Sequence, residues 1–550
     1  MVEAFAAELA AEAPSRLAAV LVVPSPRPEA PNGRALCAHV ASLRAAALAF
    51  DLSAAVSNAD ACWLDAEGLE LAADQVHLTS AAQMRLGRQL AAATAGLLPE
   101  VSVLMPCRNA MPWLALAVAS VMLQRSVRLE LVAVDDSSKD GSGAFLEELA
   151  ARIVAAGDGV GSEATDGDGD AAVRALEAAI ARARACETPT SDWDAQHFAD
   201  GAALTAVNIA AAWRRLRAQG LVHTRLVVRR IAAFGPSGQG RALNAALRAA
   251  RAPLIGEMES DDIRPLHTFA TLRDALRADQ KLDGVVSRVQ LCGWERQGMA
   301  RYAEWQNSVL SHAQMDAGRW LEIPAMRASG LYRASALRCV LDGYRDLWEM
   351  DVAGADGELA DGVASKRRRV VVDCALPEGS DPVAAACAAP LEGWWPVDSD
   401  FWHRWFAAGL RVRKVEQVLY LWRQYPAQST RTHSRCSIER LRACKAHFLI
   451  AKLRQGGGGD GRAQLPAVEC WGVGRSLDGW VEALAWLGVQ ATRVEYKPGA
   501  PLPKRNGKGD MGAQAQRAVR LMAYGMEKAR RKVLNVVRDF DPACDFFVGS

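Results

Sequence analysis

Predicted strands and helices alternate from residue 101 to residue 156, and this alternation constrains the fold more than any other feature of the chain. The segment VSVLMP is typical of a strand and PWLALAVASVMLQ of a helix. LELVAVDDSS is a second strand with its loop, and SGAFLEELAARIVAA is a second helix. A β-α-β-α order is typical of a parallel sheet flanked by helices. We therefore predict an α/β domain whose ligands bind beyond the carboxyl ends of its strands.

The length of 550 residues predicts three or four domains, at roughly 150 residues each. Composition divides the chain into a partial unit at 1–98, the main domain at 99–450 and a small α/β region at 463–550. Two insertions rich in Gly, Asp and Ala interrupt the main domain at 157–200 and 351–390. We expect the first insertion to be partly disordered, because its composition cannot bury much apolar surface.

The small C-terminal region begins with a pattern of strand, turn and helix, after a glycine run that is typical of a linker. Gly472 and Gly474 follow its strand, as in a dinucleotide-binding loop, but Leu477 stands where the third glycine would be. This departure favours a Rossmann-like structural fragment over a cofactor site.

Charge and cysteine usage exclude several classes of protein. The 65 Lys and Arg nearly balance the 63 Asp and Glu, which argues against a polybasic nucleic-acid coat and against a largely disordered chain. The 12 cysteines include no C-x-x-C pair, so a zinc ribbon is not expected. Apolar runs are too short to span a bilayer and the N-terminus lacks the features of a secretory signal. We expect a cytoplasmic protein without a membrane anchor.

Polar motifs follow three predicted strands of the main domain. The first is MPCRN, the second is VDDSSKDGS, and the third is ESDD, which comes after the helix GQGRALNAAL and a further strand. A nucleotide-sugar transferase needs such equipment: one carboxylate holds the nucleoside, and a second acidic group fixes the Mn²⁺ or Mg²⁺ that neutralises the diphosphate. Each acidic motif by itself could instead cap a turn or a helix start.

These motifs, in this order, resemble those of family 2 glycosyltransferases of the inverting GT-A type. The resemblance implies a Rossmann-like nucleotide-diphospho-sugar transferase fold for the central domain and a UDP-sugar donor. It implies that Asn244 orders the loop before the acidic turn and that Asp261 and Asp262 serve the metal and ribose. Arg108 replaces the usual aromatic residue, and Glu259 replaces the first Asp of the acidic turn. The implied donor-binding residues are Pro106, Arg108, Asn109, Asp135, Asp136, Asn244, Glu259, Asp261 and Arg423.

The same family carries a general base in an E-D motif before a helix, and a later strand ends in Y-R. Spacing within PVDSDFWHRW places Asp398 on the second letter of that motif, with Val397 where Glu would be and Asp400 as the nearby competitor. One carboxylate must take the acceptor proton in a single displacement, and we assign this role to Asp398. Both aspartates could instead be helix caps. Arg423, in LWRQYP, matches Y-R and is expected to balance diphosphate charge.

Longer segments resemble the beta-1,3-N-acetylglucosaminyltransferase-like group, which includes a tRNA-queuosine galactosyltransferase. These segments are RYAEWQNSVL, PVDSDFWHRW, LYLWRQYPAQST and CWGVGRSLDGWVEALAWLGV. The resemblance implies a UDP-hexose donor, with queuosine in tRNA as a candidate acceptor. Contact with tRNA would then depend on local basic clusters, Lys366 to Arg369 or Lys528 to Lys532. The alternative is a non-catalytic protein that binds nucleotide sugars or tRNA.

The segment ACWLDAEGLELAADQVHLTSAAQMRLGRQL resembles the end of a sialate O-acetylesterase domain of the SGNH type. The resemblance implies that Asp74 and His77 correspond to the dyad that activates a serine. The serine itself lies much earlier in such domains, and a dyad without its nucleophile has no covalent catalyst. We expect this partial carbohydrate-esterase segment to be inactive as an esterase.

Overall fold

A computed structural model describes twelve ranges of the chain: residues 20–23, 62–65, 99–157, 166–185, 203–231, 238–293, 297–345, 347–352, 368–373, 396–455, 466–502 and 518–549. The chain divides into two compact units, Met1–Pro99 with Val154–Ser162, and Glu100–Ile153 with Glu163–Ser550. In the first unit, β1 (Val20–Val23) pairs in parallel with β2 (Cys62–Asp65). Asp74 and His77 lie outside the described residues.

A seven-stranded sheet forms the centre of the second unit, in the order β11-β7-β8-β6-β3-β4-β5. Its neighbouring strands pair in parallel, except that β8 is antiparallel to both β6 and β7. The strands are β3 (Val101–Cys107), β4 (Arg128–Asp135), β5 (His223–Arg230), β6 (Leu254–Glu257), β7 (Gly284–Gly293), β8 (Leu331–Arg333) and β11 (Val412–Gln424).

The strand sequences explain why this sheet lies in the core. Every residue of β3 and all but the first residue of β4 are buried, as expected for parallel strands that are covered on both faces. The helices of this unit up to residue 455 include α1 (Leu114–Met122), α2 (Ser142–Gly157), α5 (Gln239–Ala249), α6 (Thr268–Ala278), α7 (Gln297–Ser308), α8 (His312–Gly318), α9 (Val397–Ala407), α10 (Ser429–Thr432) and α11 (Ile438–Gln455). Of the helices in the described ranges, none combines the length and apolar character needed to cross a membrane.

Two helices that the sequence analysis did not predict lie between α2 and β5. They are α3 (Asp166–Ala185), which falls within the first insertion, and α4 (Ala206–Ala218). In α3 the buried residues Ala172, Leu176, Ala179, Ile180 and Ala183 recur at helical spacing, so the insertion buries an apolar stripe despite its Gly- and Asp-rich start. The insertion was expected to be partly disordered, and α3 is a stretch of it that forms a regular helix.

The second insertion contains an antiparallel pair of strands, β9 (Leu347–Val352) and β10 (Arg368–Asp373). Arg368 and Arg369, the last two residues of the basic cluster Lys366 to Arg369, begin β10. The first two, Lys366 and Arg367, lie outside the described residues.

The C-terminal region forms a four-stranded parallel sheet in the order β13-β12-β14-β15. The strands are β12 (Val468–Gly472), β13 (Ala491–Glu495), β14 (Val519–Met522) and β15 (Asp545–Phe547). The strand and helix predicted at the start of this region are present as β12 and α12 (Gly474–Trp486), and α13 (Glu527–Leu534) follows β14. Gly474 has a positive φ of 55°, which glycine adopts more readily than other residues.

Candidate functional site

The acidic turn follows β6 directly and is fastened to β11 through Asp262. The Asp262 side chain is 1% exposed; its Oδ1 accepts the backbone N–H of Arg423 at 2.7 Å and its Oδ2 accepts the hydroxyl of Tyr420. Burial, reinforced by the charge of Asp261, raises the pKa of Asp262 well above its usual range. Both oxygens of this predicted metal ligand therefore already hold the turn against β11.

Glu259 and Asp261 are the more exposed carboxylates of the turn. The amide of Gln239 donates to both carboxylate oxygens of Glu259, at 2.8 and 2.9 Å, and the Tyr425 hydroxyl donates to Asp261 Oδ2 at 2.8 Å. Burial raises the pKa of both carboxyls, and the charge of Asp261 raises that of Glu259 further. A divalent cation would relieve this repulsion.

The carboxylate oxygens of this turn are suitable donors for Mg²⁺ or Mn²⁺. Among the described residues, no group of three or more His, Cys, Asp or Glu side chains is placed to hold a metal ion. Mg²⁺ is often bound by one or two protein carboxylates that share it with substrate phosphates. Glu259 and Asp261 fit that arrangement, in which the diphosphate completes the coordination.

Arg327 joins three carboxylates and was not identified from the sequence. Its side chain is 1% exposed: Nη1 pairs with Glu257, Nη2 lies 3.3 Å from Glu259 Oε1, and Nε donates to Asp398 Oδ1 at 2.8 Å. Its guanidinium also lies over the ring of Tyr344, 5.3 Å from the centroid. A buried arginine is stable here because its partners are charged and hydrogen-bonded. It holds Asp398 in a fixed relation to the acidic turn.

The structure separates the two candidate bases. Asp400 is buried, and its Oδ2 accepts the Nε–H of Arg404 at 2.7 Å, one turn along α9. Asp398 lies in the first turn of the same helix, with a side chain that is 31% exposed. The apolar side chains Phe401, Trp402 and Trp405 anchor α9 in the core. Asp398 is consequently the aspartate of this helix that lines a cavity.

That cavity has a volume of about 1040 Å³ and extends from the acidic turn to the C-terminal region. Side chains of α7, the 321–326 segment, the first turn of α9 and the segment after β11 line it. The far end is formed by residues 525–530, which follow β14. Asp261, Asp262 and Asp398 all border this space, as does Glu259, so the predicted metal and base residues share one cavity.

The predicted nucleoside-binding loops follow β3 and β4. Asp135 is buried and accepts Arg230 Nε–H and the Ser138 N–H, both at 3.3 Å, while Asp136 Oδ2 accepts the Gly238 N–H at 3.1 Å. Asp135 thus orders its own loop, and Asp136 ties the end of β4 to the start of α5.

The loop after β3 presents its polar residues outward. Pro106 is buried within β3, whereas Arg108 and Asn109 are exposed. Asn109 Oδ1 accepts the Lys139 N–H at 2.8 Å, and Asp136 acts electrostatically on Arg108. The side chains of this loop are not among the described residues that line the cavity.

The structure changes the roles expected of two donor residues. Arg423 is 0% exposed; its Nε donates to the Asp261 carbonyl at 2.5 Å and its guanidinium lies 4.3 Å from the centroid of the Trp113 ring. Arg423 therefore supports the backbone of the acidic turn from the buried side. Asn244 exchanges two 2.8 Å hydrogen bonds with the backbone of Tyr344, whose hydroxyl donates to Glu257. Asn244 therefore orders the Tyr344 loop, whereas the resemblance implied the loop before the acidic turn. Its link to β6, the strand that precedes the turn, runs through the Tyr344 hydroxyl and Glu257.

Two other arginines, Arg431 and Arg435, line the same cavity. The Arg435 guanidinium lies 3.3 Å from Gln239 Oε1, and its charge opposes the rise in the Glu259 pKa. Sequence analysis missed them, although the basic residues in STRTHSR directly follow the recognised LWRQYP segment.

Residues 102–184 match the family model described as Glycosyl transferase family 2. This match runs from β3 into α3, and the predicted α/β class of the central domain is confirmed by its parallel-dominated sheet. No protein among the curated sequences matches the chain significantly.

Three solved structures illustrate the likeness at low identity. TarS 1–349 from S. aureus in complex with UDP is 12% identical over 64% of this chain and 65% of its own length, with a TM-score of 0.32. The mannosyltransferase PcManGT from Pyrobaculum calidifontis, with GDP-Man and Mn²⁺, is 14% identical over 71% and 75%, with a TM-score of 0.32. Glucosyl-3-phosphoglycerate synthase from Mycobacterium tuberculosis is 14% identical over 68% and 84%, with a TM-score of 0.28.

Proposed function

We propose that this protein is an inverting glycosyltransferase that moves a hexose from a UDP-sugar to an acceptor hydroxyl, with Asp398 as the general base. The observation that carries the proposal is the shared position of Asp398 and the acidic turn on one cavity, linked by the guanidinium of Arg327. A base and a diphosphate site must lie within one sugar ring of each other for a single displacement.

The donor side is built from the acidic turn and the cations near it. Glu259 and Asp261 would hold Mn²⁺ or Mg²⁺, which when bound supplies positive charge to the leaving diphosphate. Arg431 and Arg435 would contact the same phosphates, since guanidinium groups suit bidentate phosphate recognition. The exposed loop with Arg108 and Asn109 would contact the uridine.

In the proposed step, the acceptor oxygen attacks the anomeric carbon as its proton passes to Asp398. A new carbon–oxygen bond forms, and the bond from the anomeric carbon to the phosphate oxygen breaks, so the electron pair leaves with UDP. Arg327 occupies Oδ1 of Asp398, which leaves the proton for Oδ2. One displacement inverts the anomeric configuration, and the fixed carboxylate contributes general base catalysis.

Calorimetric titration of UDP with and without Mn²⁺ tests the donor side. We expect wild type and Asp398→Asn to bind UDP with the same Mn²⁺ dependence, and Asp261→Asn to lose that dependence. Queuosine in tRNA, the acceptor that the sequence resemblance implies, is assayed with free sugars by UDP release. Binding of UDP without turnover of any UDP-sugar would favour a non-catalytic binding protein.

A further inference from the structure

The cavity has a second wall that the proposed chemistry does not use. Besides the acidic turn, Tyr302 and Trp305 of α7 line the cavity with stacked rings, whose centroids are 6.2 Å apart and whose planes differ by 23°. Asp398 lies close enough to the Tyr302 ring to act on it electrostatically. Met526 and Arg530, which belong to the C-terminal region, line the same cavity; together with Tyr302 and Trp305 they are called its second wall.

The C-terminal sheet is firmly attached to the segment that lines this wall. Trp320 packs into the hydrophobic core of that sheet, and its carbonyl accepts the Gly549 N–H at 2.9 Å. The indole of Trp480 donates to the Gly549 carbonyl at 3.0 Å. Leu321, the residue after Trp320, lines the cavity, and Lys445 of α11 donates to the Leu321 carbonyl at 2.7 Å. These contacts fix the C-terminal region as part of the cavity.

The C-terminal contribution comes from a position that suits ligand binding. In the order β13-β12-β14-β15, the connection from β12 runs to β13 on one side and the connection from β14 runs to β15 on the other, so the crevice between the ends of β12 and β14 is a topological switch point. Open parallel sheets bind ligands at such points. The 525–530 segment follows β14 directly, and Met526, at 75% exposed, is the most exposed large apolar side chain of the described residues.

The charge of the cavity restricts the molecule that enters it. Its described lining residues include seven carboxylates and four guanidinium groups, and three of the carboxylates (those of the acidic turn) and two of the guanidiniums (Arg431 and Arg435) belong to the donor side. The remaining four carboxylates, of Glu304, Glu322, Asp398 and Glu527, outnumber the guanidiniums of Arg301 and Arg530, so a polyanion would meet an excess of carboxylates in this part of the cavity. Aromatic faces and methionine side chains beside carboxylates suit a ring with an apolar face and many hydroxyl groups.

We propose that this second wall, formed by Tyr302, Trp305, Met526 and Arg530, is the acceptor site, and that it takes an uncharged polyhydroxylated ring such as the terminal sugar of a glycoside. The proposal rests on the proposed transferase function. It assigns acceptor recognition to the C-terminal sheet, which sequence analysis treated as a separate structural fragment.

The test compares Met526→Glu with Leu534→Glu. Leu534 is also exposed and also lies in the segment after β14, but it does not line the cavity. We expect Met526→Glu to raise the KM for a neutral glycoside about tenfold or more, while hydrolysis of the UDP-sugar without acceptor stays within about twofold of wild type. Leu534→Glu should leave both quantities unchanged.

The panel of acceptors contains neutral glycosides, the same glycosides carrying a phosphate, and bulk tRNA. Preference for a neutral glycoside supports the proposal. An unchanged KM in Met526→Glu, or preference for tRNA or for the phosphorylated glycosides, overturns it. If wild type neither binds UDP nor hydrolyses any UDP-sugar, the proposed transferase function itself fails. That result differs from an unchanged KM in Met526→Glu, which overturns only the acceptor site.

Discussion

Arg327 is a single buried cation that pairs with three carboxylates of the site. It is buried between Glu257, Glu259 and Asp398, so three carboxylates share a single guanidinium. Removing one partner of a buried charge group leaves the other charges unpaired, which is far more costly than losing a surface ion pair. Its planar fork also aims separate N–H groups at separate carboxylates, which a lysine cannot reproduce.

Replacement of Arg327 tests this role. We expect Arg327→Lys, which keeps the charge, to lower kcat/KM by about 10²-fold or more, because Asp398 loses its orientation. Arg277→Lys, at an exposed ion pair with Glu100, is the control. A kcat/KM of Arg327→Lys within a few-fold of wild type would contradict a positioning role.

Lys414 gives a separate prediction about stability. It is buried, donates to the Pro324 carbonyl at 3.1 Å, and burial lowers its pKa from 10.5 to about 7, helped by the charge of Arg288. A cation with a lower pKa in the folded state binds its proton better when unfolded. Its stabilising contribution is therefore lost as pH falls from about 10 to about 7.

We expect the free energy of unfolding of wild type to rise, relative to that of Lys414→Met, between about pH 7 and pH 9. Chemical denaturation of both proteins at each pH measures this difference. A constant gap between the two proteins would show that Lys414 titrates normally in the folded state.

At the scale of elements, the last residues of the chain attach the C-terminal sheet to the Trp320 segment. A Cβ added at Gly549 would lie 1.9 Å from the Leu321 carbonyl oxygen, a backbone atom that cannot move aside cheaply. We expect Gly549→Ala to lower the free energy of unfolding by about 1–3 kcal/mol, the usual cost of overpacking. At Gly525 an added Cβ meets nothing within 4 Å, so Gly525→Ala should melt like wild type. Equal melting temperatures for both variants would contradict this attachment.

Elements with strong apolar periodicity could be predicted from the sequence, and those defined by tertiary contacts could not. β3, α1, β4 and α2 follow from buried apolar runs. The helix α3 was missed because Gly and Asp at its start conceal an Ala and Leu stripe. Arg327 carries no local signal, since three elements distant in sequence bring its carboxylates together. The choice between Asp398 and Asp400 likewise needed the Arg404 contact.

At the scale of the whole molecule, the cavity joins two sheets that the sequence presented as separate regions. The acidic turn follows a strand of the seven-stranded sheet, and the 525–530 segment at the far end of the cavity follows a strand of the four-stranded sheet. The near-zero net charge of the chain therefore conceals a local excess of carboxylates around the cavity.

This distribution predicts a weak effect of salt on acceptor binding. An acceptor that binds without releasing counterions should show a KM that changes little between about 50 mM and 200 mM salt, whereas a polyanion that contacts many cations would lose affinity steeply. Steady-state UDP release at both salt concentrations measures this. A KM that rises tenfold or more would contradict an uncharged acceptor.

The most direct test of the account is the turnover of Asp398→Asn beside Asp400→Asn in one UDP-release assay, with UDP affinity measured on the same samples. We predict that Asp398→Asn loses about 10²–10⁴-fold in kcat and keeps wild-type affinity for UDP. Folded Asp400→Asn should keep kcat within a few-fold and melt at a lower temperature, because it loses its ionic partnership with Arg404. Wild-type turnover by Asp398→Asn would contradict the assignment of the base and with it the proposed mechanism.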